Sequence, residues 1–142
     1  MRRSHRFRNI AEIAQAEERS AAREMARWQQ EMQRHEARLA QLWDFCQEYR
    51  QRFHEAGKNG IDGRQLQGYR AFMAQLESAI QQQQERIAQL RTAIEEQRRQ
   101  WEQCRRKAQI MDKLVQRHLH RERLLDEGRE QAEADDRPGH KP

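Results

Sequence analysis

One short glycine-rich segment divides this sequence into two long stretches that contain neither glycine nor proline. Gly57, Gly60, Gly63 and Gly68 fall within twelve residues, and the first proline is Pro138. Because these two residue types interrupt helices most strongly, their absence on both sides of the segment permits two long helices joined by one turn.

Apolar residues recur in both stretches at alternating steps of three and four. This spacing is the heptad repeat of a coiled coil, in which one stripe of each helix is buried against the other. In the first stretch the stripe consists of Met25, Trp28, Met32, His35, Leu39, Leu42, Cys46, Tyr49 and Phe53. In the second it consists of Leu66, Tyr69, Met73, Leu76, Ile80, Gln83, Ile87, Leu90, Ile94, Gln97, Trp101, Cys104, Ala108, Met111 and Val115.

A short connection makes the two helices antiparallel, so facing residues should have numbers that sum to roughly 120. We therefore expect three facing pairs: Phe53 with Tyr69, Leu42 with Ile80, and Trp28 with Ile94. The predicted fold class is all-α, a long two-helix antiparallel coiled-coil hairpin.

The predicted boundaries of the helices follow from the same glycine and proline positions. A single domain should cover residues 1–136, with helix 1 over about 4–56, a turn over 57–63, helix 2 over about 64–129, and a frayed or disordered tail over 130–142. Candidate helix-start signals are Asn9 with Glu12 and Asp62 with Gln65, since each pair places a capping oxygen three residues before an acid or amide.

The composition argues against an enzyme. Hydrophobic residues make up 35% of the chain and charged residues 36%, too little apolar material for the thick core that a catalytic pocket needs. The histidines show no metal-ligand spacing, and Cys46 and Cys104 are predicted to be reduced thiols far apart along the hairpin. We expect no catalytic residue, no metal and no cofactor.

The formal net charge of +5 leaves a choice between partners. Clustered arginines and lysines can bind nucleic acid, but here they alternate with acids, which is typical of a solvated helix face or of a surface for an acidic protein. The chain has neither a secretion signal nor an apolar stretch of membrane-spanning length, so we expect a cytoplasmic protein.

Two groups of apolar residues lie beside the stripes. Phe45 and Phe72 each precede a stripe residue, so they should meet on one side of the hairpin near the turn and form a candidate docking patch, or else simply cover the stripe. At the other end, Leu114, Leu119 and Leu125 have little of the first helix opposite them. Either the first nine residues are also helical or another protein covers these leucines.

The residues around the turn resemble the FliJ family of flagellar export proteins. Residues 42–50, LWDFCQEYR, are similar to that family's L-x-D-[aromatic]-x-x-E-Y-R stretch. After the turn, Gly60 and Ile61 and then the spacing of Tyr69, Phe72 and Leu76 are similar to its G-I…Y-x-x-F-x-x-x-L-E-x-A-I stretch. Together these fragments cover most of residues 9–136.

The resemblance implies a non-enzymatic hairpin that binds the hexameric export ATPase, binds the cytoplasmic domain of the membrane export gate, and escorts export chaperones. It implies membrane association only peripherally, through the gate. The family's gate-binding face falls on Leu42, Phe45, Tyr49, Phe72, Leu76, Ala79 and Gln83. By geometry, the ATPase-facing residues are expected at the terminal end, and we assign them to Ile13, Met111, Leu114 and Leu119.

Two other functions fit parts of the sequence. A stalk protein of a virulence injectisome would share the hairpin architecture. A basic coiled-coil protein that binds nucleic acid would share the charge, and its binding would depend steeply on salt.

Overall fold

The computed structural model describes residues 3–136. Helix α1 spans Arg3–Gly57 and helix α2 spans Gly63–Asp135, and the two pack against each other as a hairpin. The predicted all-α fold class is confirmed. In the part of the chain that is described, neither helix is both long and apolar enough to cross a membrane.

The turn between the helices closes with tight backbone hydrogen bonds. The amides of Lys58, Asn59 and Gly60 each donate to the carbonyl three residues earlier, at 3.2 to 3.3 Å. Gly60 then adopts a φ of 90°, a conformation that a residue with a β-carbon avoids. The glycine at this position is what lets the chain reverse within a few residues.

The start of α2 carries a reciprocal cap, as the sequence predicts. The amide of Gln65 donates to Oδ1 of Asp62 at 2.8 Å, and the amide of Asp62 donates to Oε1 of Gln65 at 3.2 Å. This capping box satisfies donors that have no partner within the helix and fixes where α2 begins.

The other predicted start signal, Asn9 with Glu12, is wrong because α1 already begins at Arg3. The earlier residues are held by tertiary contacts. Ser4 Oγ donates to Glu122 at 2.6 Å, and the ring of Phe7 stacks on His118 with centroids 4.5 Å apart. Packing against α2 thus extends the helix past a residue that could have capped it.

Helix α2 also ends later than predicted, at Asp135 instead of about residue 129. Residues 130–135 are Glu, Gln, Ala, Glu, Ala and Asp, mostly strong helix formers, so the helix continues through them. The first six residues of the predicted tail are therefore helical. The rest of the predicted tail, 137–142, lies outside the described residues.

The hairpin divides into two compact units. We call Glu24–Arg98 the turn unit, and Met1–Arg23 together with Arg99–Pro142 the terminal unit. Each unit has its own packing.

The turn unit is held by two apolar clusters between the helices. One comprises Cys46, Met73, Leu76 and Ile80, and the other Met32, Ile87 and Leu90. The predicted register holds here: the rings of Phe53 and Tyr69 stack with centroids 3.7 Å apart, Leu42 packs on the cluster containing Ile80, and Trp28 and Ile94 pack on the same second cluster.

In the terminal unit the buried residues are small. Ala11, Ala14 and Val115 are buried, and small side chains let two helices approach closely. Polar contacts surround them: Trp101 Nε1 donates to Glu18 at 2.8 Å, and Lys107 Nζ lies 3.6 Å from a carboxylate oxygen of Glu17. Both cysteines are free thiols; Cys46 is buried and Cys104 is partly exposed.

Replacing Leu90 by alanine tests the packing of the turn unit. Leu90 is 1% exposed, so Leu90→Ala should lower the free energy of unfolding by about 2 to 4 kcal/mol through lost burial and a cavity. Leu125→Ala is the matched control, because Leu125 is 64% exposed and should change stability by less than about 0.5 kcal/mol. Urea unfolding followed by circular dichroism measures both, and equal effects would contradict the packing described.

Candidate protein-docking site

Four aromatic rings near the turn form a continuous cluster across the two helices. Phe45 meets Phe72 edge-on with centroids 5.9 Å apart, and Tyr49 packs on Phe72 at 4.4 Å and stacks on Tyr69 at 5.5 Å. Phe45 remains 45% exposed. A large, rigid ring held by other rings and open to solvent is a typical anchor for a protein partner.

The heptad repeat explains why these rings meet. Phe45 in α1 precedes the buried seam residue Cys46, and Phe72 in α2 precedes the buried seam residue Met73. In an antiparallel pair, the positions that precede a seam residue lie on the same side of the seam. We call the surface formed by Leu42, Phe45, Tyr49, Phe72 and Ala79 the aromatic patch.

The structure places the seven predicted gate-binding residues at two depths. Leu42, Tyr49 and Phe72 pack half-buried on the cluster that contains Leu76, Ala79 is half-buried, and Phe45 is exposed. Leu76 and Gln83 are buried, so they support the aromatic patch from below and offer little surface of their own.

Gln83 takes part in a polar contact inside the apolar seam that sequence reasoning missed. Its Nε2 donates to the backbone carbonyl of His35 at 2.9 Å and lies 2.7 Å from Nδ1 of the same residue. Because an amide nitrogen can only donate, Nδ1 accepts in this contact, and Nε2 of the same ring lies 3.2 Å from a carboxylate oxygen of Glu31. The signal was present in the sequence, since both His35 and Gln83 occupy stripe positions.

A groove of about 630 Å³ lies beneath the turn. Phe53, Ile61 and Tyr69 supply its apolar part, while Arg50 and Lys58 are the cations among its lining residues. Arg50 also lies 3.8 Å from Glu77. An apolar groove with cations at its edge suits an acidic segment of a partner protein.

The terminal unit exposes a second set of large apolar residues. Ile10, Ile13 and Ile110 are exposed, as are Leu124 and Leu125, which come shortly after Glu122, the residue that Ser4 contacts.

The four residues predicted to face the ATPase do not form one surface. Ile13 is exposed, whereas Met111, Leu114 and Leu119 are half-buried. Leu114 precedes the buried seam residue Val115, while Leu119 follows the half-buried seam residue His118. Leu114 and Leu119 consequently lie on opposite sides of the seam.

The site's chemistry is that of binding. Among residues 3–136, no group of three or more His, Cys, Asp or Glu side chains is arranged to hold a metal ion. The aromatic patch offers stacking and apolar burial, and the groove beneath the turn adds positive charge.

The fold and the aromatic patch define a coiled-coil hairpin with an exposed aromatic face. Within that class, the family model described as "Flagellar FliJ protein" matches residues 3–139, nearly the whole chain. The chain therefore belongs to the FliJ family and is a flagellar export-related protein. No curated protein and no solved structure matches it.

Replacing Gln83 tests the polar contact within the seam. Gln83→Leu should lower the free energy of unfolding by about 1 kcal/mol, because His35 Nδ1 loses its donor in a partly buried site. The double variant His35→Leu with Gln83→Leu should be at least as stable as the wild type, since it replaces both polar groups by apolar ones. Urea unfolding measures the free energy of unfolding of both variants. If Gln83→Leu raised it, the contact would contribute nothing to stability.

Proposed function

We propose that this protein connects two parts of the flagellar export apparatus. The aromatic patch binds the cytoplasmic domain of the membrane export gate, and the terminal unit binds the ring of the export ATPase. The protein works in the cytoplasm and meets the membrane only peripherally, through the gate. It performs no chemistry of its own and uses no cofactor; its contribution is to couple ATP hydrolysis to substrate export by holding partners together.

The exposure of Phe45 within a packed aromatic cluster carries the gate assignment. Its ring touches Phe72, which in turn packs on Tyr49, so the free surface is preorganised and loses little conformational entropy on binding. Aromatic residues of this kind supply much of the binding energy at protein interfaces.

The family resemblance supports the same surface independently. The positions that it implies for gate binding include all five residues of the aromatic patch. They also include Leu76 and Gln83, which are buried directly in the seam and would act by shaping the patch.

The ATPase assignment rests on the apolar side chains that the terminal unit leaves exposed. Three isoleucines and two leucines are open to solvent in a unit whose buried residues are small. Exposed apolar residues in such number are typical of a surface that another protein covers. The family resemblance also implies that the protein escorts export chaperones, and we propose this as a further role of the hairpin.

Truncating the aromatic patch tests gate binding. Phe45→Ala should weaken binding to the gate's cytoplasmic domain about 30-fold, the effect expected for an aromatic hot spot. Because Phe45 is exposed, this variant should fold normally. Leu66→Ala is the control, since Leu66 is 37% exposed in the same unit but lies outside the patch. Isothermal titration calorimetry measures both variants.

If Phe45→Ala and the wild type bound the gate's cytoplasmic domain with equal affinity, the aromatic patch would not be the gate-binding surface. Steeply salt-dependent binding to DNA that Phe45→Ala leaves unchanged would instead favour the nucleic-acid alternative.

A charge placed on the terminal unit tests ATPase binding. Ile13 is 60% exposed, so Ile13→Asp should leave the fold intact while lowering affinity for the ATPase about tenfold, because a buried interface would have to accept an unpaired carboxylate. Gln15→Asp adds the same charge two residues along α1, on the opposite side of the helix and at another exposed position, and should bind like the wild type. Analytical ultracentrifugation of the ATPase with each variant measures complex formation; a loss in both variants would reflect charge alone.

A further inference from the structure

The side of the seam opposite Phe45 also carries an exposed aromatic residue. Trp43 follows the seam residue Leu42, whereas Phe45 precedes the seam residue Cys46, so the two rings lie on opposite flanks. Trp43 is 43% exposed. The proposed gate-binding surface makes no use of it.

Trp43 lies in a shallow groove that runs between the helices. From α1 the groove is lined by Glu36 and Trp43 among others, and from α2 by Gln84, Ile87 and Arg91, around about 430 Å³. Ile87 forms part of the floor, because it belongs to the buried cluster with Met32 and Leu90. The groove therefore combines apolar contact area with one acid and one base.

On this flank, side chains of α1 and α2 form three layers, which are spaced seven residues apart along each helix. The first and third layers are charged. In the layer nearest the turn, Arg50 of α1 lies 3.8 Å from Glu77 of α2. The middle layer, Trp43 with Gln84, is uncharged, and the third layer consists of Glu36 of α1 and Arg91 of α2, which both line the groove. The sign on each helix is thus reversed between the first and third layers. We call this surface the tryptophan face.

We propose that the tryptophan face binds a second copy of this chain through a two-fold axis. If the axis is perpendicular to the helices, Arg50 meets the partner's Glu36 and Glu77 meets the partner's Arg91. If it is parallel to them, Arg50 meets the partner's Glu77 and Glu36 meets the partner's Arg91. Every charge meets its opposite in both arrangements, which is the self-complementarity that an isologous interface requires.

The charge balance favours a second copy over an unrelated protein. The chain as a whole carries a formal charge of +5, yet the two acids and two bases of the tryptophan face cancel. A neutral, alternating surface gives no preference to an acidic or a basic partner, but it matches itself. Three layers of a slender coil form a small interface, so the dimer is weak and reversible.

Sedimentation of the full chain over a wide concentration range tests the proposal. The wild type should convert reversibly from monomer to dimer, and Trp43→Ala should raise the dimer dissociation constant about 30-fold. Leu66→Ala, which alters an exposed leucine away from this face, should dimerise as the wild type does. Circular dichroism confirms that the variants fold. A monomer at every concentration, or a dimer that Trp43→Ala leaves unchanged, would overturn the proposal.

Charge exchange separates the two orientations. Glu36→Arg alone should weaken the dimer about tenfold, because like charges then face each other. Adding Arg50→Glu should restore it if the axis is perpendicular to the helices, whereas adding Arg91→Glu should restore it if the axis is parallel. Restoration by either pair supports the tryptophan face, and restoration by neither overturns it.

Discussion

The contact between two heptad stripes that run in opposite directions is the interaction on which the rest of this structure depends. Because charged residues are about as numerous in this chain as hydrophobic ones, its apolar residues suffice for one narrow seam and little else. Each flank of that seam is thereby left open to solvent. The aromatic patch and the tryptophan face are the two flanks of one seam, and neither would exist if the helices paired in another register.

Register is specified at several points at once. The capping box of Asp62 and Gln65 fixes the first residue of α2, and the stacked rings of Phe53 and Tyr69 align the helices just beyond the turn. Farther along, Gln83 bonds to His35 inside the seam. A polar pair among apolar layers penalises any shift, since a displaced Gln83 would be buried without its partner.

The sequence predicts the features that follow from local rules and from period. The hairpin, the turn, the cap at Asp62 and the pairing of Phe53 with Tyr69 are all confirmed. Tertiary contacts were missed: helix 1 was predicted from about residue 4, but not that Ser4 and Phe7 would hold this start of the helix against α2. The seven predicted gate-binding residues also differ in burial, which the sequence does not show. Leu76 and Gln83 are buried beneath the aromatic patch.

Spin-label distances within the turn unit test the antiparallel seam most directly. Labels at the exposed positions Gln30 and Thr92, in a chain whose native cysteines are replaced and which is diluted with unlabelled protein, lie on facing segments of one hairpin. Helices packed side by side predict a separation of roughly 20 to 30 Å between the labels. If the chain did not fold back, one continuous straight helix would separate these positions by roughly 90 Å. That separation would contradict the seam and both surfaces built on it.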